Sequence, residues 1–247
     1  MGKTINFIIG GLIGDFIQCL FAVKHLCKKH QAKANLYVTD DGRFGGDNFR
    51  FSISKVYSDL YPVIIQQDYI NSFEIYQNQT QDLINLNNFR RSPYLYRGNW
   101  TELLQNTFGF TYENPYQWVT IKETNPELEG KILLHRSTRR HSQDFPFRQI
   151  IDKYREQIVF ISNDPGEYES FPFKSEIQYY KTETLIDVYS AINSCKFFIG
   201  NQSSPYTLAT SVDKLRVLEL VPHSSDRIMS LGEDKYSSNI MDVSKIL

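Results

Sequence analysis

The N-terminal stretch alternates apolar runs with polar breaks in the order of a βαβ unit. Residues 4–10 form a short apolar run that ends in two glycines, which predicts a buried strand. From about residue 15 to residue 29 the apolar positions recur along one helical stripe, and basic residues at 28–30 suit a helix C-terminus. A second strand follows in "NLYVTDDG". The two strands are predicted to be parallel because a helix connects them.

The rest of the first half carries weaker patterns. Residues 42–52 combine glycines and arginines and predict a mobile surface loop, whereas short apolar runs at 63–66, 73–76 and 82–86 predict strands. Residues 100–110 predict a helix that ends at Gly109. Residues 111–130 are rich in Pro, Asn, Glu and Gly, apart from an extended stretch at 117–121, so we expect a domain junction near residues 120–130.

The alternation starts again in the second half. It predicts strands at 131–135, 158–162, 196–200 and 216–220 and helices at 147–156, 182–195 and 206–212, with Thr182 as the N-cap of the second helix. Two successive runs of this kind predict an α/β protein of two Rossmann-like, doubly wound domains, whose parallel sheets face a cleft. We expect the domains to span residues 1–122 and 123–247.

Composition narrows the classes of function. The 247 residues have a formal net charge of −1 with basic and acidic residues interspersed, so nucleic acid is not an expected partner. No apolar stretch reaches the roughly 18 residues of a membrane span. Three cysteines without C-x-x-C spacing indicate a reducing compartment and no zinc. We therefore expect a cytoplasmic protein without a metal or a cofactor.

The first βα turn matches a dinucleotide-binding turn only in part. The pattern G-x-G-x-x-G would need glycine where Ile9 stands, so only Gly11 and Gly14 fit it. Asp40 or Asp41, after the second predicted strand, could bind a ribose. An NAD(P)-dependent oxidoreductase therefore stays open.

Asp15 directly follows the last glycine of that turn and argues against a pyrophosphate there, because two negative charges would repel each other. The acid could simply stabilise the dipole of the helix that it begins. Alternatively, a carboxylate at the carboxyl edge of a parallel sheet could act as a general base on an attacking hydroxyl.

A better phosphate site lies in "FFIGNQSSPYTLATS". A strand ends at Gly200, and a helix begins near Pro205, a residue favoured at the first helical position. Unpaired N–H groups and hydroxyls, with no acid in the first turn, suit a phosphate, although an ordinary capped helix is the alternative. The candidate residues are Asn201, Gln202, Ser203, Ser204 and Thr207.

A basic loop follows another predicted strand in "HRSTRRHS" and should emerge at the same sheet edge. Arg136, Arg139, Arg140 and His141 could clamp a diphosphate, because guanidinium groups bind phosphate oxygens in pairs. A solvated loop with no ligand is the alternative.

These stretches resemble the heptosyltransferase-like glycosyltransferases. "IIGGLIGDFIQCLFAVKHL" looks like that family's N-terminal motif, in which a Gly-Asp pair opens the first helix. "LIDVYSAINSCKFFIGNQSSPYTLATSVDKLRVLEL" is similar to its C-terminal stretch, where a Gly-Asn-Asp-Ser-Gly-Pro turn and a helix hold the donor diphosphate. "ILLHRSTRRHSQDFPFRQII" resembles its strand with a basic loop, and "IVFISNDPGEYE" its next strand and acidic turn.

The resemblance implies a GT-B architecture with the acceptor mainly on the first domain and the nucleotide-sugar donor mainly on the second. It also implies metal-independent transfer with inversion of the anomeric centre. Asp15 matches the family's catalytic base, and Gly11, Gly14 and Arg43 fall on the acceptor side.

On the donor side the resemblance assigns the phosphate turn and a basic residue. Ser203, Ser204 and Thr207 fall on the turn, and Arg139 or Arg140 matches the residue that steadies the leaving diphosphate. The chain departs from the family where Gln202 replaces an aspartate, Ser204 a glycine and Thr207 a histidine.

The resulting hypothesis is a glycosyltransferase that uses a nucleotide-sugar donor and a hydroxyl acceptor, such as a glycan or a lipopolysaccharide-like molecule. Such an acceptor could be membrane-borne, which would bring the protein into peripheral contact with a membrane. A non-catalytic nucleotide-sugar-binding module is a further alternative beside the oxidoreductase.

Overall fold

The computed structural model describes residues 2–46, 49, 51–95, 100–111, 117–221 and 242–247. The chain divides into two compact units, Met1–Thr120 and Ile121–Leu247. Among the described residues, each unit contains one sheet whose strands pair in parallel, with helices in the connections between them. The predicted α/β class with two parallel sheets is confirmed.

The first unit contains a four-stranded sheet in the order β3-β2-β1-β4. Its strands are β1 (Thr4–Ile9), β2 (Lys33–Val38), β3 (Ile70–Ile75) and β4 (Ile84–Asn85). Its helices are α1 (Ile13–His30), α2 (Ile53–Ile64) and α3 (Trp100–Phe108). Short 3-10 helices span Gly42–Phe44 and Leu86–Arg91.

The strand predicted at residues 63–66 is wrong, because this apolar run is the end of α2. The buried residues Val56, Leu60, Val63 and Ile64 follow the spacing of one helical face, and that longer period outweighs the short run. The N-cap Ser52 accepts a hydrogen bond from the backbone N–H of Lys55 and begins the helix.

The second unit contains a five-stranded sheet in the order β7-β6-β5-β8-β9. Its strands are β5 (Ile132–His135), β6 (Ile158–Ser162), β7 (Gln178–Lys181), β8 (Phe197–Asn201) and β9 (Arg216–Glu219). Its helices are α4 (Phe147–Tyr154), α5 (Pro165–Glu169), α6 (Leu185–Ser194) and α7 (Ser204–Ser211). The four strands and three helices predicted for this half are confirmed, whereas β7 and α5 were not predicted.

The N-cap of α6 is Thr184, so the prediction of Thr182 is wrong. The Thr184 hydroxyl accepts from the N–H of Asp187, and the Asp187 carboxylate accepts from the N–H of Thr184. This reciprocal pair is a capping box, which needs an acid or amide three residues after the cap. Thr182 lacks such a residue and is buried.

Both sheets reverse their strand order once, between β1 and β4 in the first unit and between β5 and β8 in the second. In doubly wound sheets ligands bind outside the carboxyl ends of the strands at such a reversal. The residues that follow these four strands are therefore the candidates for function in each unit.

Candidate functional site

The turn after β1 is tightly packed. A Cβ at Gly10 would lie 2.3 Å from the carbonyl oxygen of Thr39, which follows β2, so only glycine fits. Gly11 has a φ of 104°, a value that L side chains rarely adopt. Helix α1 then begins after the N-cap Leu12, which has no side-chain group to cap it. Gly14 and Asp15 both lie in the first turn of α1.

Asp15 forms an ion pair across the strand reversal of the first unit. Its Oδ2 accepts a hydrogen bond of 2.6 Å from Nη2 of Arg90, which lies in the 3-10 helix after β4. Nη1 of Arg90 donates to Asn87 Oδ1 at 2.8 Å, and the guanidinium lies 4.4 Å from the ring centroid of Phe89. The Asp15 side chain is 25% exposed and that of Arg90 is 17% exposed, so the pair is partly open to solvent.

Arg90 was missed by the sequence analysis. Its signal was the run "NNFRR" after the strand predicted at 82–86, because parallel strands bring their carboxyl ends to one edge of the sheet. That rule places a basic residue after β4 near the acid that begins α1.

The described part of the predicted surface loop lies against the turn after β1. A Cβ at Gly46 would lie 2.8 Å from the backbone carbon of Gly10, and Asn85 Nδ2 donates to the carbonyl of Phe44 at 3.0 Å. Residues 47, 48 and 50 of that loop lie outside the described residues. The 42–46 segment is thus a close neighbour of the Asp15 turn.

Arg43, the predicted cation of the acceptor side, is exposed and bonded within its own surroundings. Its Nε donates to Asp41 Oδ2 at 2.6 Å, and its Nη2 donates to Asn78 Oδ1 at 3.2 Å. The hydrogen bond from the Arg43 side chain lowers the pKa of Asp41 below its ordinary value. With its side chain 68% exposed, Arg43 stands at the surface of the unit.

In the second unit the strand reversal brings together the two predicted stretches of the donor side. Asn201, the last residue of β8, is fully buried, and its Oδ1 accepts from the N–H of Ser137 at 3.1 Å. Its Nδ2 donates to the carbonyl oxygens of Arg139 at 2.6 Å and Ser137 at 3.3 Å. Asn201 therefore holds the basic loop, residues 136–142, to the end of β8.

The arginines of the basic loop have different surroundings. Arg140 has a left-handed backbone with φ 59°, and its Nη1 donates to the carbonyl of Gln202 at 2.7 Å. Arg139 is exposed, and its guanidinium makes no hydrogen bond or ion pair with any residue that the structure describes. Arg139 is thus available to a ligand, whereas Arg140 joins the loop to the turn before α7.

Arg136 is held by a buried carboxylate. Its Nε and Nη2 donate to Oε2 and Oε1 of Glu219 at 2.9 and 2.7 Å, and Glu219 is fully buried at the end of β9. The N–H of Ser142 also donates to Glu219 Oε1, at 2.8 Å. These contacts fix both ends of the basic loop.

The turn before α7 exposes only part of its predicted set. Ser204 is exposed and Ser203 is half-buried, whereas Gln202 and Thr207 are buried. Ser203 is the N-cap of α7, but its side chain makes no capping hydrogen bond. The first N–H groups of a helix have no partner inside the helix, so this start can receive an anion.

The Ser203 hydroxyl instead contacts a histidine that the sequence analysis left aside. His135, the last residue of β5, places Nδ1 3.2 Å from Ser203 Oγ and Nε2 3.0 Å from Glu167 Oε2. Ser162, at the end of β6, donates to the same Glu167 oxygen at 2.5 Å. The available signal was an acidic turn after a strand that pairs with β5, but α5 itself was not predicted.

Metal-binding groups and membrane-spanning helices are absent from the described residues. In this part of the chain no three His, Cys, Asp or Glu side chains form a group that could hold a metal ion, and no helix is long and apolar enough to cross a membrane. The cysteines Cys19, Cys27 and Cys195 are free and buried, and burial raises the pKa of Cys27 and Cys195 to about 12.

Two Rossmann-like units with parallel sheets define a GT-B-like α/β fold. No protein-family model matches the chain, and no curated protein matches its sequence. Solved structures of glycosyltransferases do share the fold.

TibC of enterotoxigenic E. coli, an iron-containing dodecameric heptosyltransferase solved with ADP-D-β-D-heptose, aligns with a TM-score of 0.62 at 13% identity. The alignment covers 97% of this chain but 63% of TibC, so the chain spans less than two thirds of that protein. A family 9 glycosyl transferase from Veillonella parvula aligns with a TM-score of 0.56 at 12% identity, over 92% of this chain and 84% of its own.

The E. coli heptosyltransferase WaaC, solved with ADP, aligns with a TM-score of 0.54 at 12% identity, over 97% of this chain and 92% of its own. Likeness at such identities establishes the fold, and the roles predicted for individual residues stay predictions.

Proposed function

We propose that the protein is a glycosyltransferase, of hexosyl or heptosyl type, that moves a sugar from a nucleotide-diphosphate sugar to a hydroxyl acceptor. One observation carries the proposal. The strand reversal of the second unit joins an uncapped helix start to a loop with an outward-facing arginine, Arg139. Backbone N–H groups at a helix start and guanidinium groups bind diphosphates, because both donate hydrogen bonds to phosphate oxygens. Solved proteins of the same fold contain ADP or ADP-heptose, which supports this class of donor.

On the donor side, residues 123–247, the contacts suggest different tasks for the predicted residues. Arg139 and the start of α7 with Ser203 and Ser204 bind the diphosphate. The remaining predicted residues hold these groups in position: Arg136 through Glu219, Arg140 and Gln202 through their mutual hydrogen bond, Asn201 through the loop carbonyls, and Thr207 from inside α7.

Departure of the nucleoside diphosphate is assisted by positive charge on this proposed site. As the bond between the anomeric carbon and the diphosphate oxygen breaks, negative charge grows on the leaving group. Arg139 and the dipole of α7 stabilise that charge, so the proposed transfer is metal-independent.

On the acceptor side, residues 1–122, Asp15 is the proposed base. It removes the proton of the acceptor hydroxyl while the oxygen attacks the anomeric carbon opposite the leaving group, which inverts that centre. Arg90 and Asn87 orient the carboxylate through the 2.6 and 2.8 Å hydrogen bonds described above. Gly11 and Gly14 let the hydroxyl approach the backbone, and Arg43 offers an exposed cation to the acceptor, a glycan or membrane-borne lipopolysaccharide-like molecule.

A thermal-shift screen of nucleoside diphosphates, nucleotide sugars and NAD tests the proposed class. A ligand at a hundred times its dissociation constant adds about 2.7 kcal/mol to the free energy of unfolding, so a binding nucleotide sugar gives a clear rise in Tm. Stabilisation by NAD alone would contradict the proposal and favour an oxidoreductase. Binding of a sugar nucleotide without turnover of any acceptor would favour a non-catalytic module.

The double variant Arg139→Ala/Arg140→Ala tests the donor site. It removes one ligand-facing charge and the hydrogen bond to the Gln202 carbonyl, so we expect donor affinity to fall about ten-fold or more, measured by calorimetry. Arg155→Ala is the matched control, because Arg155 is an exposed arginine of the same unit that pairs with Glu176. Equal donor affinity in the wild type and the double variant would remove the basic loop from the site.

A further inference from the structure

A buried histidine in the second unit contacts a carboxylate with one ring nitrogen and a hydroxyl with the other. His135 is 4% exposed and joins the Glu167 carboxylate of α5, at Nε2, to the Ser203 hydroxyl before α7, at Nδ1. Glu167 also accepts the hydrogen bond from Ser162 of β6. Glu167, His135 and Ser203 thus connect the residues that follow β6 to the proposed phosphate turn.

The direction of each hydrogen bond depends on the charge of the imidazole. An ionised Glu167 only accepts, so it holds the proton of a neutral His135 ring on Nε2. Nδ1 of that neutral ring carries no proton and accepts the hydrogen of the Ser203 hydroxyl. In a charged ring both nitrogens donate, and Nδ1–H then points to Ser203 Oγ.

The Ser203 hydroxyl hydrogen must therefore move when His135 becomes charged. The second acceptor within its reach is the carbonyl oxygen of Asn201, 3.2 Å from Ser203 Oγ. The hydroxyl oxygen itself stays at the start of α7 while its hydrogen changes acceptor. In the structure this side chain makes no capping hydrogen bond to the helix. A ligand oxygen at the helix start is a third acceptor for the same hydrogen.

We propose that His135 is a positioning residue whose charging turns the Ser203 hydroxyl toward the donor diphosphate, so that donor binding takes up one proton. This inference rests on the proposed donor site. A bound diphosphate favours the charged ring twice, through its own negative charge and through the hydroxyl hydrogen that it accepts. Donor affinity is then higher for the charged than for the neutral form of His135, so protons and donor bind together.

Charged groups on neighbouring elements affect the equilibrium between the charged and neutral forms of the His135 ring. Glu167 of α5 favours the charged imidazole. The basic loop that follows β5 carries the cations Arg139 and Arg140, which oppose it, and the titratable His141. The charge of Arg136 is matched by Glu219 of β9. On β6 the neighbours are the neutral side chains of Ser162 and Phe160, the latter with its ring 6.2 Å from the imidazole. An anionic ligand on this loop offsets part of the loop's positive charge, which favours the charged ring.

Calorimetry in two buffers of different ionisation enthalpy counts the protons that binding takes up. The probes are ADP-glucose and UDP-glucose, whose diphosphates carry no titrating group between about pH 5 and pH 8, the range in which histidine titrates. We expect uptake approaching one proton, and an affinity that falls by up to about ten-fold per pH unit wherever that uptake is measured.

His135→Asn should abolish this uptake. Ser203→Ala should reduce it, because the charge of the diphosphate still acts on the ring but the hydroxyl hydrogen is lost. His30→Asn is the control, because His30 is exposed at the end of α1 in the first unit. Its proton count should equal that of the wild type. Binding with the same proton count in Ser203→Ala and the wild type would overturn the inference and leave the donor site standing.

Nitrogen NMR of the imidazole tests the same assignment without a ligand. We expect the neutral His135 ring to carry its proton on Nε2 and the Nδ1 signal to change in Ser203→Ala. A neutral ring protonated on Nδ1 would overturn the inference. If neither probe binds at any pH and no nucleotide sugar of the thermal-shift screen raises the Tm, the proposed donor function is overturned together with its proton linkage.

Discussion

The side chains of the first unit's candidate site work in pairs. Asp15 and Arg90 are 75 positions apart, yet the reversal between β1 and β4 brings them within 2.6 Å. Arg90 is itself oriented by Asn87 and by the ring of Phe89. The carboxylate therefore has a fixed direction, which a helix-start acid that only stabilises a dipole would not require.

Asp15→Asn separates the proposed base from its structural role. The amide has the same size and can still accept from Arg90, but it cannot take a proton, so transfer should fall by about 10²- to 10⁴-fold while donor affinity stays near the wild-type value. Steady-state kinetics and calorimetry measure the two quantities. Near-normal turnover in this variant would remove Asp15 as the base. Glu102→Gln, which changes an acid in the first turn of α3, is the control.

The ion pair between Arg136 and Glu219 should affect the stability of the fold, because the two side chains are only 11% and 0% exposed. Arg136→Met leaves a buried carboxylate without its cation, and such a change costs about 3–5 kcal/mol of unfolding free energy. Denaturant unfolding measures this loss. The double variant Arg136→Met/Glu219→Leu should recover much of it, since no unpaired charge remains. Equal stability of the single and double variants would contradict the assignment.

At the scale of elements, α6 and α7 show two ways to begin a helix. Thr184 and Asp187 close the start of α6 with a capping box, whereas Ser203 leaves the start of α7 open and faces His135. A serine at an N-cap position ordinarily caps its helix. Because the Ser203 hydroxyl contacts His135 instead, the first N–H groups of α7 receive no hydrogen bond from it, as the proposed diphosphate site requires.

Matched alanine substitutions at the two N-caps test this difference. Thr184→Ala should lower the unfolding free energy by about 0.5–2 kcal/mol through loss of the cap, whereas Ser203→Ala should lower it by less, because no capping bond is lost. Chemical denaturation of the two variants measures both. A larger loss in Ser203→Ala than in Thr184→Ala would contradict this expectation.

Elements with a long period or a buried run could be predicted from the sequence, and short amphipathic ones could not. The apolar strands β5, β6 and β8 and the helix α1 followed directly from their patterns. The strand β7, with the half-exposed sequence "QYYK", has no buried run to mark it. In α2 the last apolar residues of a helical face happened to be adjacent in sequence and imitated a strand.

For the whole molecule, strand order decides which distant residues meet, and strand order is not local information. The motifs around Asp15 and residues 200–207 were visible in the sequence, and so was the expectation that they lie at sheet edges. Arg90, the partner of Asp15, was not identified because its position depends on the pairing of β1 with β4, which lie far apart in the chain. Glu167, which reaches Ser203 through His135, was not identified because α5 was not predicted. The solved structures share the fold at only 12–13% identity, so similarity of sequence to them does not identify these partners.

The grip of Asn201 on the basic loop has a practical consequence for redesign. One buried amide holds the main chain at Ser137 and Arg139, so the course of the loop does not depend on the side chains that it exposes. Thr138 and Arg139 both project from this anchored backbone into solvent. Substitutions at these two positions should therefore change which ligand binds without changing the backbone of the loop.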